Sequence, residues 1–232
     1  MRKSIKLIYL ASTLLFIIAI CFGIITKKSF KETKIDLESA QMNNAYVSMN
    51  EESFVDYFEN NIEDLSELIS ASDLIIIGNA DGERQSYRGA VKTKIKVNTI
   101  IENKSLVADL PNEIFIYEPN NFHFDTYMSM EGYNLMQNNK DYILFLRHIE
   151  APMGYNYKND EIITFIPTST YYGKYEMEND EFPEAILLKR EIMYKDVKDQ
   201  AILTEKQEII NKYNEIRNDI FSFILQTTKI AK

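Results

Sequence analysis

Residues 7–25 read LIYLASTLLFIIAICFGII, 19 consecutive positions without a charge. As a helix rising about 1.5 Å per residue, such a run is nearly 30 Å long and matches the hydrocarbon core of a bilayer. Arg2, Lys3 and Lys6 precede it, as in an export signal. Removal by a signal peptidase needs small residues before the cut, and Ala19-Ile20-Cys21-Phe22-Gly23 fits that pattern poorly. Lipidation at Cys21 wants a small residue just before the cysteine, where the bulky Ile20 stands. The segment is therefore expected to persist as a signal-anchor, a transmembrane helix over residues 1–26, with cleavage and lipidation as the other two routes. Lys27, Lys28, Lys31 and Lys34 nearly balance the cations on the other side, so charge asymmetry says little about orientation. The short leading tail favours a single-pass cell-membrane protein whose C-terminal domain is extracytoplasmic; an inward-facing domain is the alternative.

Charge separates this segment from the rest. Residues 1–34 carry a net +6 and the whole chain −9, which leaves −15 on residues 35–232. A domain so acidic repels nucleic-acid phosphate and anionic headgroups, so a nucleic-acid partner is not expected. Its acidity keeps it soluble, or attracts a basic partner. Cys21 is the one cysteine, so the domain has no disulfide or thiolate metal site and must be stable through its core. Hydrophobic residues at 45% and charged residues at 26% suit such a core.

Residues 27–50 are polar without a sustained period and read as a juxtamembrane linker. Phe54, Phe58, Ile62, Leu65 and Ile69 recur at three and four residues, which predicts an amphipathic helix over residues 51–69. The period then becomes that of strands. Apolar runs at 74–78, 114–117, 142–146 and 162–166, with strict alternation from Val91 to Thr99, predict five strands, and residues 185–188 a sixth. Asn79-Ala80-Asp81-Gly82 carries turn chemistry. A final amphipathic helix is predicted over residues 205–226 from Ile209, Tyr213, Ile216, Ile220 and Phe223, with Thr204 and Gln207 spaced as a capping box. The expected fold is α+β: an N-terminal transmembrane helix, then an antiparallel sheet of five or six strands that curls or closes, flanked by two amphipathic helices, the domain filling residues 51–232.

Residues 72–146 resemble a pattern of exported Gram-positive bacterial proteins. Ser72-Asp73-Leu74-Ile75-Ile76-Ile77-Gly78 opens a strand, an alternating strand follows, then the strand at 114–117, then Tyr142-Ile143-Leu144-Phe145-Leu146. Such domains are similar to the OB-type barrel of tissue metalloproteinase inhibitors. This chain lacks the N-terminal cysteine with which those inhibitors chelate a protease metal. It also has Glu118-Pro119-Asn120-Asn121 where the bacterial pattern has a Gly-rich turn. The resemblance therefore implies a five- or six-stranded antiparallel OB-like barrel without that inhibitory mechanism.

No phosphate-binding, dinucleotide, calcium-loop or zinc-protease motif is present. His123 and His148 are 25 residues apart and too few for a zinc site, so no metal or other cofactor is expected. Carboxylate pairs such as Glu63-Asp64 are plentiful, but acid–base chemistry needs two in one cleft, and no catalytic residue is assigned. The candidate binding residues are the loop aromatics Phe122, Phe124, Tyr127, Tyr133, Tyr155 and Tyr157, whose ring faces suit protein or sugar contacts. Their alternative role is to close the barrel ends. The leading functional expectation is a non-enzymatic, membrane-anchored extracytoplasmic interaction domain for a protein or envelope component. The alternatives are a membrane-complex subunit contacting its partner through the last helix, and a carboxylate-dependent hydrolase.

Overall fold

The computed structural model describes residues 2–29, 34–50, 57–87, 89–178 and 192–230. They fall into two units, Met1–Thr33 and Lys34–Lys232. The first is a single helix, α1 (Arg2–Ser29), with Leu14, Leu15, Phe16 and Phe22 exposed.

Among the described residues, no helix is long and apolar enough to cross a membrane. This overturns the expected transmembrane helix.

In the second unit, α2 (Ala40–Asn43), β1 (Tyr46–Asn50) and α3 (Leu65–Ala71) precede two long strands, β2 (Leu74–Tyr87) and β3 (Ala90–Asn103). Next come β4 (Glu113–Glu118), β5 (Asn120–His123), β6 (Thr126–Met130) and β7 (Asp141–Arg147). A 3₁₀ turn at Asn159–Ile163 leads into β8 (Thr164–Pro167) and β9 (Lys174–Glu176), and α4 (Tyr194–Val197) and α5 (Gln207–Ile230) complete the unit.

The larger sheet runs β2-β3-β4-β8-β7-β9, and β2 also pairs with β7, so five of its strands close on themselves. Alternation explains the uninterrupted apolar runs of β2 and β7. Leu74, Ile76, Tyr142, Leu144 and Leu146 point inward with Ile95, Ile114, Ile116 and Phe165. The intervening Ile75, Ile143 and Phe145 point outward, where Leu68 of α3 and Ile210, Tyr213, Ile216 and Ile220 of α5 cover them. Both faces are buried, so no polar alternation is left in the sequence. Removing the Ile216 side chain from this helix–sheet contact would cost about 2–5 kcal/mol.

The expected all-antiparallel barrel is corrected to a mixed α/β fold with two sheets. β4 and β8 run parallel, with Phe115 opposite Thr164 and Ile116 opposite Phe165. A separate three-stranded sheet, β1-β6-β5, has β1 parallel to β6. Hydropathy period reveals a strand but not the direction of its neighbour. β2 also continues through Asn79-Ala80-Asp81-Gly82, because these turn residues form a bulge between Ala80 and Arg84, with Gly82 at φ +89.

The helix expected over 51–69 is shorter. It starts at Leu65, where the Asp64 carboxylate caps it by accepting from the Glu67 N–H at 2.8 Å. Residues 57–64 are pinned in non-helical form instead: the Glu59 N–H bonds to Thr168 O at 2.8 Å. Phe54 and the strand expected at 185–188 lie outside the described residues. At α5, Thr204 accepts from the Lys206 N–H at 3.1 Å while Gln207 reaches Asn211, in place of the expected capping box. Part of the segment read as a linker packs into the domain: Ile35, Leu37 and Ala45 are buried with Val91, Tyr127 and Tyr194.

Candidate functional site

Two of the six candidate aromatics belong to a buried polar floor. The Tyr127 hydroxyl accepts from Asn120 Nδ2 at 2.8 Å and the Leu135 N–H at 3.1 Å, and donates to Asn134 Oδ1 at 2.9 Å. Tyr133 donates to Glu118 Oε2 at 3.1 Å, and the Met136 N–H reaches the same oxygen at 2.9 Å. Glu118 also accepts from Thr93 and faces Arg84, so this fully buried carboxylate is compensated on both oxygens. Burial, reinforced by neighbouring negative charge, drives the hydroxyls of Tyr127 and Tyr133 well above the usual phenol range. Both therefore hold the fold and offer no ring face to a ligand.

Phe122 is half-buried against Tyr127 and Tyr194, at ring distances of 5.0 and 5.6 Å. Phe124 is 82% exposed, at φ 54, and stands edge-on to His123. Tyr155 and Tyr157 share the link between β7 and the 3₁₀ turn. Tyr155 donates to Glu161 Oε2 at 2.7 Å, which lowers the Glu161 pKa, and Tyr157 donates to Ile149 O at 2.8 Å.

Tyr157 lines the groove that defines the candidate site. A cleft of about 950 Å³ lies at the end of the barrel where β2 begins and β3 and β7 finish. Asp73, between α3 and β2, organises it. Its N–H donates to Leu146 O at 2.8 Å, its carbonyl accepts from the Lys104 N–H at 2.6 Å, and its Oδ2 accepts from the His148 N–H at 2.9 Å. One residue thus ties the ends of β3 and β7 together. Arg147, the last residue of β7, pairs with Glu59 at 2.9 Å and donates to Tyr57 O. His148 stacks on Phe165 at 4.2 Å, with Nε2 2.7 Å from Ile162 O. That contact makes Nε2 the protonated nitrogen and leaves Nδ1 as the remaining ring nitrogen.

The rim is apolar where the walls are charged. Leu106 is 70% exposed and Ile149 37% exposed. Burial, followed by the negative charges of Asp73, Glu150 and Glu161, raises the pKa of Tyr157. The sequence had marked Tyr157 but missed Asp73, Leu106 and Arg147. Spacing could not have gathered them, since they come from three chain segments.

This arrangement supplies charge, hydrogen bonds and ring faces. The Ser105 hydroxyl is held by Asn103 Oδ1 at 2.7 Å, and His148 is committed to a backbone carbonyl. Among the described residues, no group of three His, Cys, Asp or Glu side chains is placed to hold a metal.

Two other cavities frame the choice. Lys174, fully buried, places Nζ 3.0 Å from Ala201 O and 4.9 Å from the Tyr133 ring centre. The adjoining cavity, about 10 Å³, has room for one water at most. An apolar cleft of about 410 Å³ between α3, β7 and α5 is lined by Leu65, Ile69, Ile220 and Phe223. The apolar stripe expected to contact a complex partner is largely used there: Tyr213, Ile216 and Ile220 are buried in the helix–sheet core, with Phe223 at 40% exposure.

Comparison of the chain with protein-family models, with curated proteins and with solved structures yields no match.

Proposed function

We propose that Lys34–Lys232 is an interaction domain, presented outside the cytoplasm, that grips a segment of a protein partner in the groove beside Asp73, Arg147 and Tyr157. The observation that carries this reading is the juxtaposition in one 950 Å³ cleft of exposed Leu106 and Ile149 with the ion-paired Arg147 and Lys104 and the carboxylates of Asp73 and Glu150. Exposed apolar side chains beside fixed polar groups are what protein interfaces bury at their centres. The extracytoplasmic placement is supported by the cations ahead of the uncharged run at 7–25.

Site-specific photocrosslinking in intact cells tests this reading. A photoreactive residue replacing Leu106 should give discrete protein adducts, while one replacing exposed Asn211 on α5 should not. Equal labelling at both positions, or none at Leu106, would reject the groove as the interface. External protease should remove a tag at Lys232 without lysis; a protected tag would reject the placement.

A further inference from the structure

The groove's charges are unequally satisfied. Arg147 is neutralised by Glu59 at 2.9 Å, and Lys104 by Glu102 at 3.1 Å, with a further bond to Ile69 O at 3.1 Å. Asp73 and Glu150 face the same cleft, and neither makes an ion pair among the described residues. Asp73 spends Oδ2 on a backbone N–H, which leaves its charge uncancelled. Asp73, Glu150 and Tyr157 line the same cleft, and after burial the two carboxylates, with Glu161, raise the pKa of Tyr157. The wall at Tyr157 is aromatic. The neighbouring Tyr155 ring already carries the Lys158 ammonium at 5.6 Å, which shows how rings of this loop receive a cation.

From this charge complementarity, and resting on the reading of the groove as a protein-segment site, we propose that its occupant is an extended polypeptide presenting a lysine or arginine beside an apolar residue. The cation seats against Asp73, Glu150 and the Tyr157 face, and the apolar neighbour packs on Leu106 and Ile149. Anionic occupants are disfavoured twice, locally by the two unpaired carboxylates and globally by the −15 charge of residues 35–232. Lipid headgroups and nucleic acid therefore fit this site poorly, whereas a basic segment is steered toward it.

The test is selection of displayed random linear peptides on the full chain in neutral detergent, repeated on three variants. Peptides with Lys or Arg next to an apolar residue should be enriched. They should bind Glu150→Gln and Asp73→Asn up to about fivefold more weakly each, as for partly exposed ion pairs, and weaken further with salt. Glu150 is exposed and carries the test even where Asp73→Asn disturbs the His148 contact. Leu106→Asp separates the two levels of the argument. Peptides lost on Leu106→Asp but neither basic nor sensitive to the carboxylate variants overturn the basic-segment proposal and leave the groove reading standing. Peptides indifferent to Leu106→Asp, or no enrichment at all, overturn both.

Discussion

The Nε of Arg84 lies 3.8 Å from Oε1 of Glu118, and both side chains are sealed from water. Arg84 comes from the far half of β2 and Glu118 from the end of β4, so the pair ties strands that are not neighbours in the sheet. The guanidinium also bonds Met136 O at 2.6 Å and Asn138. Removing either charge leaves the other buried without its counterpart. Glu118→Gln and Arg84→Met should each cost about 3–5 kcal/mol. In chemical denaturation followed by tyrosine fluorescence, the double variant should lose clearly less than the summed single losses, since the two groups share one interaction.

Lys174 gives the domain a pH signature. Burial outweighs the attraction of Glu118 and Glu176 and lowers its pKa from 10.5 to about 8. Above pH 8 the folded chain releases this proton while the unfolded chain keeps it. Stability should therefore rise with pH through that window. The rise is to be read below pH of about 10, where unfolded tyrosines begin to ionise. In Lys174→Met this rise should be absent; an unchanged slope would show that Lys174 does not titrate there.

Asn60 anchors the stretch ahead of α3. Its Oδ1 accepts from Ser169 Oγ at 2.7 Å, from the Thr170 N–H at 3.0 Å and from Thr170 Oγ1 at 3.1 Å. Asn60→Ala strands these donors and should cost about 1–3 kcal/mol. Thermal unfolding checks the loss. Asn60→Asp should not recover it, because Asn60 Nδ2 also donates to Glu131 Oε2 at 2.6 Å and a carboxylate there would meet like charge.

Gly132 sits at φ +75, where an added Cβ would lie 2.2 Å from Leu203 O and 2.6 Å from Tyr171 Cε1. Backbone strain and overpacking act together, so Gly132→Ala should lose more than about 2 kcal/mol. Gly154, at φ +81 with open space around it, isolates the strain. Gly154→Ala should cost less in the same denaturation experiment.

Local signals were legible where one period ruled. The runs at 74–78, 114–117 and 142–146 and the stripe of the last helix each lie within a real element, because burial on a strand or a helix face writes itself in the order of residues. Long-range choices were not. The parallel partner of β4 and the pairing of β1 with β6 depend on which distant segments meet. The stripe Phe58, Ile62, Leu65 had a helical period, yet Asp64 caps a helix that starts only at Leu65, and Glu59 and Asn60 bond to residues more than 100 positions away. At the site, aromatic content pointed to Tyr155 and Tyr157 but equally to Tyr127 and Tyr133, which the polar floor consumes. Ring type alone does not say which side of the surface a side chain will occupy.

The link over residues 149–158 contributes no side chain to any of the three core clusters. Substitutions at its exposed side chains, such as Met153, disturb no core packing, while a change at Ile76 or Phe145 does. In a lineage of such chains, variation would gather on one wall of the groove, and preference for a partner would drift while the barrel beneath stayed under purifying pressure. Diversity among descendants would then be a matter of a few letters between β7 and the 3₁₀ turn.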